Sequence, residues 1–204
     1  MKKLMIVLSL FALLIVFQAS TIALVNGYEI GDTVEDFKLQ NVDGAWIKFS
    51  DYIGEGGAIV IFTCNTCPYA QLYEDRITKM HNELSESGFP VLAINPNDPT
   101  MKPGDSFEAM KKRSTDKGFS FPYVFDQTQE VFPKFGAQRT PHVFIVDNTM
   151  KLRYIGAIDD NPQNADAVKT NYVINAVKAI KLGNDPDPLT TKAIGCGIKA
   201  KKMQ

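Results

Sequence analysis

Five apolar residues, Ala58-Ile59-Val60-Ile61-Phe62, run straight into Thr63-Cys64-Asn65-Thr66-Cys67-Pro68, and this junction constrains the fold more than any other stretch. An unbroken apolar run with β-branched members, entered from the loop Gly54–Gly57, reads as a strand covered on both faces in the middle of a sheet. Pro68 suits the first turn of a helix, where its missing N–H is not needed. Tyr69, Leu72, Tyr73, Ile77, Met80 and Leu84 then recur at three- and four-residue spacing until Gly88 ends the pattern. A buried strand therefore turns into a helix at two cysteines.

The remaining elements follow the same logic. Asp36–Gln40 and Ala45–Phe49 flank Asp43-Gly44 and read as a β-hairpin. Phe89–Ile94 is a second buried-type strand, and Ser106–Lys117 a helix with Phe107 and Met110 inward. Phe121–Phe125 is a short strand and Thr128–Phe135 a short helix. Val143–Asp147 and Leu152–Ile155 form a hairpin around Asn148-Thr149, and Ala165–Leu182 is the last helix. This order, after the first hairpin, gives an α/β domain over 28–182 with a mixed central sheet flanked by helices. Residues 183–204 are rich in Pro, Gly and Lys and read as a flexible C-terminal tail without a core of its own.

Lys2 and Lys3 precede an apolar run from Leu4 to Phe17, followed by the small residues Ala19, Ser20 and Ala23. That pattern predicts a secretory signal peptide over 1–25, with an uncleaved membrane anchor as the alternative. The expected location is exported, periplasmic or extracellular. The net charge is −1 with no block of like charges, so nothing recommends a nucleic-acid partner; a membrane is implied only by an uncleaved N-terminus.

Two cysteines three apart at a strand-to-helix turn close a small disulfide ring with little backbone movement. Unpaired N–H groups at a helix start favour negative charge, which lowers a thiol pKa and supplies the thiolate that attacks disulfides. On that argument Cys64 is the nucleophile and Cys67, one turn further in, the resolving thiol. A structural disulfide and a copper site shared with His142 are the bland alternatives. A zinc site lacks a second close-spaced Cys/His pair, and His81 reads as a solvated mid-helix residue. No organic cofactor or metal is implied, because a dithiol itself carries two electrons. Gly54–Gly57 matches no phosphate loop, and Asp159-Asp160 reads as an acidic loop end rather than a cation site.

Thr140-Pro141 precedes the strand from Val143, and an X–Pro bond is the kind that can be cis. Together with Cys64-Asn65-Thr66-Cys67-Pro68, this pair resembles the thioredoxin superfamily. The resemblance implies a thioredoxin-like fold in which Pro141 is a cis-proline and Thr140 offers its backbone to a substrate segment. Phe121-Pro122-Tyr123, Asp126–Gln129, Tyr154–Asp160 and Gly195-Cys196-Gly197-Ile198-Lys199 resemble, more narrowly, the peroxiredoxin-like branch of the alkyl-hydroperoxide-reductase/thiol-specific-antioxidant group. The chain departs from both patterns. Peroxiredoxins place a Pro and a Thr or Ser seven and three residues before the reactive cysteine. Gly57 and Ile61 stand there for Cys64, and Val60 and Cys64 for Cys67. Thioredoxins carry a Trp before the first cysteine and a buried acid in the preceding strand; here Thr63 and an acid-free Ala58–Phe62 replace them.

The expectation is an exported thiol–disulfide oxidoreductase acting on protein or small-molecule disulfides with an unidentified redox partner. A thiol peroxidase and a non-catalytic thioredoxin-fold module with a static disulfide are the alternatives. Cys196 lies about 14 residues past the last helix, a span that reaches roughly 45 Å when extended. It is either a third redox thiol exchanging with Cys64 or a free or intermolecularly paired cysteine.

Overall fold

A computed structural model describes residues 27–201. The expected signal peptide or anchor at 1–25 lies outside the described residues. Among the described residues no helix is long and apolar enough to cross a membrane.

The strand expected from the apolar run is β3 (Gly57–Phe62). It pairs parallel with β4 (Val91–Asn95) on one side and antiparallel with β7 (His142–Asp147) on the other. β5 (Tyr123–Phe125) continues parallel beyond β4. The hairpin of β1 (Lys38–Asn41) and β2 (Trp46–Lys48) adds antiparallel to β5, and β8 (Leu152–Gly156) adds antiparallel to β7. The result is one mixed seven-stranded sheet, ordered β2-β1-β5-β4-β3-β7-β8, in the thioredoxin-like arrangement.

Alternation along β3 explains its unbroken apolar composition. Ile59 and Ile61 face a core with Tyr73, Ile77 and Met80 of α2 (Pro68–Ser85) and with Val173 and Val177. Ala58, Val60 and Phe62 face the opposite core with Phe49 of α1 (Phe49–Tyr52), Phe135 of α4 (Val131–Phe135) and Phe144. Both faces are dry, and each large side chain buried there contributes about 1.5–3 kcal/mol. Gly57 enters this strand at φ +147°, and a Cβ there would lie 2.2 Å from the Val146 carbonyl oxygen. Proline, fixed near φ −65°, has no place at that position. The departure from the peroxiredoxin pattern is therefore built into the β3–β7 pairing.

Four expectations change. On α2, Leu72 is exposed, while Ala70 and the carboxylate of Glu74 are buried. Glu74 turns inward because Arg113 meets it at 2.5 and 2.9 Å from α3 (Phe107–Lys117). The long last helix is broken: a 3-10 turn at Ala165–Ala167 is followed by extended backbone, and α5 spans Tyr172–Lys181 with Asn171 as its N-cap. Asp160 causes the break by accepting the backbone N–H groups of Lys169 and Thr170. His81 is not merely solvated, since its Nδ1 accepts the Val91 N–H at 3.1 Å and ties α2 to β4.

The fourth correction concerns the tail. Residues 183–201 add no core, but they do not hang free. Thr191 N donates to Ile155 O at 2.9 Å, and Ala157 N donates to the Thr191 hydroxyl at 2.8 Å. Further on, Lys199 N donates to Asn97 Oδ1 and Asp98 N to Lys199 O, both at 2.8 Å. Between these anchors, β9 (Cys196–Gly197) pairs antiparallel with β6 (Arg139–Thr140). Backbone groups with no intrahelical or sheet partner are thus satisfied on the body of the domain.

Candidate active site

β3 ends beside the β4 backbone, with Thr63 N donating to Ile94 O at 2.9 Å. The chain then turns through Cys64-Asn65-Thr66 and enters α2 with Cys67 as N-cap and Pro68 in the first turn. The turn is pinned by side chains that no local pattern announced. Asp105, fully buried in the loop before α3, accepts Thr66 N at Oδ1 (2.9 Å) and both the Thr66 hydroxyl (2.8 Å) and Asn97 Nδ2 (2.7 Å) at Oδ2. Asn65 donates to Gly104 O at 2.8 Å and accepts the Tyr123 hydroxyl at 3.0 Å. The carboxylate missing from β3 therefore has a counterpart in Asp105, but its oxygens are committed to the turn.

The opposite wall is the Thr140–Pro141 peptide, which is cis. Thr140 is buried against both sulfurs: its Oγ1 lies 3.2 Å from Cys64 Sγ, and its carbonyl accepts the Cys67 thiol at 3.0 Å. Cys196 arrives from the tail, opposite Thr140 in the β6–β9 pairing, and its N–H points at Cys67 Sγ at 3.4 Å. The structure thus brings together all five residues singled out from the sequence, Cys64, Cys67, Thr140, Pro141 and Cys196. All three cysteines are free thiols. It places Cys196 against Cys67, however, not against Cys64.

The electrostatics of the pair depend on where the helix begins. Cys67 is the N-cap of α2, so the helix N-terminal field falls most directly on Cys67. Within the pair, the Cys64 thiol, helped by the Cys196 thiol and backbone N–H, draws Cys67 below the ordinary thiol range against the cost of burial. Cys64 is pushed well above the ordinary thiol range by donating to Cys67, by burial and by the charge of Asp105. The two sulfurs titrate as a pair. Both are nearly sealed, with Cys64 3% and Cys67 2% exposed under Tyr69 and Cys196.

The other candidates are absorbed by the fold. Burial, with the Arg139 charge, holds His142 down to about 4, and its Nδ1 accepts the Gln138 N–H. Asp159 is buried under Tyr73 and Arg76, at 2.7 and 2.8 Å. Among the described residues, no group of three or more His, Cys, Asp or Glu side chains is arranged to hold a metal ion.

The model of the AhpC/TSA family matches residues 30–155. The chain belongs to the AhpC/TSA family. Within reach of it is the thiol-disulfide oxidoreductase ResA of Geobacillus thermodenitrificans, 23% identical over 175 residues that cover 83% of this chain and 95% of that one. The crystal structure of an uncharacterized conserved protein from Geobacillus kaustophilus superposes with a TM-score of 0.82 at 32% identity, covering 88% of this chain and 96% of that one. A putative thiol:disulfide interchange protein DsbE from Chlorobium tepidum superposes at 0.52 with 25% identity, over 62% and 83% of the two chains. The family and these relatives put the chain among the thiol–disulfide oxidoreductases.

Proposed function

We propose that this AhpC/TSA-family protein is an exported oxidoreductase that exchanges disulfides with protein or small-molecule substrates through Cys64 and Cys67. The observation that carries this reading is the meeting of the dithiol with the Thr140 backbone, an edge where an extended segment can pair and present its sulfur to Cys67. The Cys67 thiolate attacks a substrate disulfide and releases one substrate thiolate, leaving a mixed disulfide on Cys67. Cys64 loses its proton, attacks the Cys67 sulfur and expels the second substrate thiolate. The substrate gains two electrons and the protein holds Cys64–Cys67; the reverse sequence oxidises a substrate dithiol. The Thr140 hydroxyl, 3.2 Å from Cys64 Sγ, donates to the Cys64 thiolate during its attack. No organic cofactor takes part.

Export is supported by the basic and apolar N-terminus of the sequence and is tested by fractionating cells that express the full chain. The roles are tested by trapping. Cys64→Ser should accumulate mixed disulfides on Cys67, whereas Cys67→Ser should accumulate few. Trapping mainly in Cys67→Ser would restore the order expected from sequence, and trapping in neither would refute the exchange reading. Stopped-flow mixing with hydrogen peroxide separates this activity from a peroxidase, which would oxidise Cys67 faster than any disulfide does.

A further inference from the structure

The tail occupies the place that the exchange reading gives to a substrate. β9 pairs with Thr140 as an added strand, and Cys196 is the residue opposite Thr140. The segment is held on both sides of the cysteine. Arg139 Nη1 donates to Gly195 O at 3.0 Å, Ile198 N to Gln138 O at 3.1 Å, and Gln129 Nε2 to Lys199 O at 2.9 Å. Gly195 permits the approach: a Cβ there would lie 2.1 Å from the Thr140 carbonyl oxygen. With Cys196 N 3.4 Å from Cys67 Sγ, the Cys196 Cα lies within about 5 Å of that sulfur, inside the reach of a disulfide.

We propose that Cys196 is a third redox thiol, carried on a built-in substrate-like strand, that exchanges with the Cys64–Cys67 disulfide at the Cys67 sulfur. The proposal rests on the exchange reading of the dithiol. The Cys196 thiolate attacks Cys67 Sγ, the Cys64–Cys67 bond breaks, a Cys67–Cys196 bond forms, and Cys64 leaves as a thiolate that takes up the proton Cys196 gave up. One disulfide is exchanged for another with no net electron transfer, so no further reactant is needed. The product seals the strand site covalently, whereas the reduced dithiol and the Cys64–Cys67 form leave the strand free to open to an incoming segment.

Oxidation of the dithiol changes the surroundings of the attacking sulfur. In the reduced protein, burial and the neighbouring Cys67 push Cys196 up to about 11, while Lys199 and Lys102 pull it down. Forming Cys64–Cys67 removes the Cys67 charge and leaves the two lysines. Cys196 is also the more open of the three sulfurs, being half-buried while the other two are buried. Moving the disulfide to Cys67–Cys196 therefore brings it toward solvent.

The test is disulfide mapping of the full chain after one equivalent of diamide, followed by alkylation and trypsin. Phe49–Arg76 carries Cys64 and Cys67, and Ala193–Lys199 carries Cys196. Cys64→Ser should form the Cys67–Cys196 cross-link at a rate independent of protein concentration and at least tenfold faster than Cys67→Ser forms Cys64–Cys196. Gly195→Val should slow the Cys67–Cys196 link at least tenfold in the Cys64→Ser background. In wild-type cysteine background it should leave Cys64–Cys67 formation unchanged. Only intermolecular adducts in Cys64→Ser, or equal rates in the two cysteine variants, would overturn the proposal. Wild type that forms Cys67–Cys196 but never Cys64–Cys67 would refute the dithiol reading and the exchange step together, leaving only a Cys67–Cys196 pair.

Discussion

Asp105→Ala separates the sequence-visible dithiol from the machinery that holds it. Asp105 is fully buried and accepts three hydrogen bonds, two from Thr66 and one from Asn97. Asn97 is itself buried, so losing its acceptor costs about 1–3 kcal/mol. Thr66 is exposed, water replaces much of what it loses, and its share is below about 1 kcal/mol. The total is about 1–4 kcal/mol, which for a domain of this size lowers the melting midpoint by roughly 3–12 °C. Circular dichroism melts of the reduced protein read that shift directly. A second readout isolates the dithiol: the Asp105 charge helps to hold Cys64 high, so removing it should move alkylation of the second thiol to lower pH. A melt within about 2 °C of wild type together with an unmoved alkylation profile would sink the claim that Asp105 organises the turn.

Three further outcomes follow from the packing. His142 is held at about 4 when folded and titrates near 6.5 when unfolded; above pH 6.5 it is neutral in both states and has no effect. As pH falls from 6.5 to 4 only the unfolded chain gains the proton, so stability drops by up to about 3 kcal/mol. His142→Gln should remove that component, and urea midpoints at pH 7.5 and 4.5 that fall equally in both proteins would contradict it. Arg113→Ala strands the buried Glu74 carboxylate with only Lys117 at 3.5 Å and should cost about 3 kcal/mol, of which Arg113→Lys recovers only part; a urea midpoint unchanged in Arg113→Ala would show that Glu74 does not depend on the pair. Asn171→Ala deletes the cap that accepts Ile174 N at 3.1 Å and should cost about 1 kcal/mol, seen as a melting drop of roughly 3 °C. No change there would mean that Asp160 alone sets the start of α5.

The fold was legible where structure is local or periodic. Ala58–Phe62 announces a central strand because both its faces are buried, and Pro68 with the spacing of Tyr73, Ile77 and Met80 announces α2. The hairpins show through their Asp43-Gly44 and Asn148-Thr149 turns. What was not legible depends on partners far along the chain. Glu74 looks like a surface residue until Arg113 is brought across from α3, and Asp105 looks like a loop acid until Thr66 and Asn97 fold onto it. The role order proposed for the cysteines turns on where α2 begins, a boundary that sequence fixes only to within a turn. The tail was misjudged for a related reason. A two-residue bridge and side-chain contacts to Asn97 and Gln129 leave no periodicity, and high Gly and Lys content imitates a free end.

The tail also has a second stretch with a different duty. β8 is one of the two edge strands of the seven-stranded sheet, and residues 189–191 run beside it, with Ile155 N donating to Leu189 O at 3.2 Å and Thr191 N to Ile155 O at 2.9 Å. An uncovered outer strand is a template for another chain to join. The stretch that guards against such self-association therefore lies directly before the one that covers the sulfurs. Opening over 193–201 alone leaves this edge of the sheet covered, whereas peeling back four residues further removes its cover.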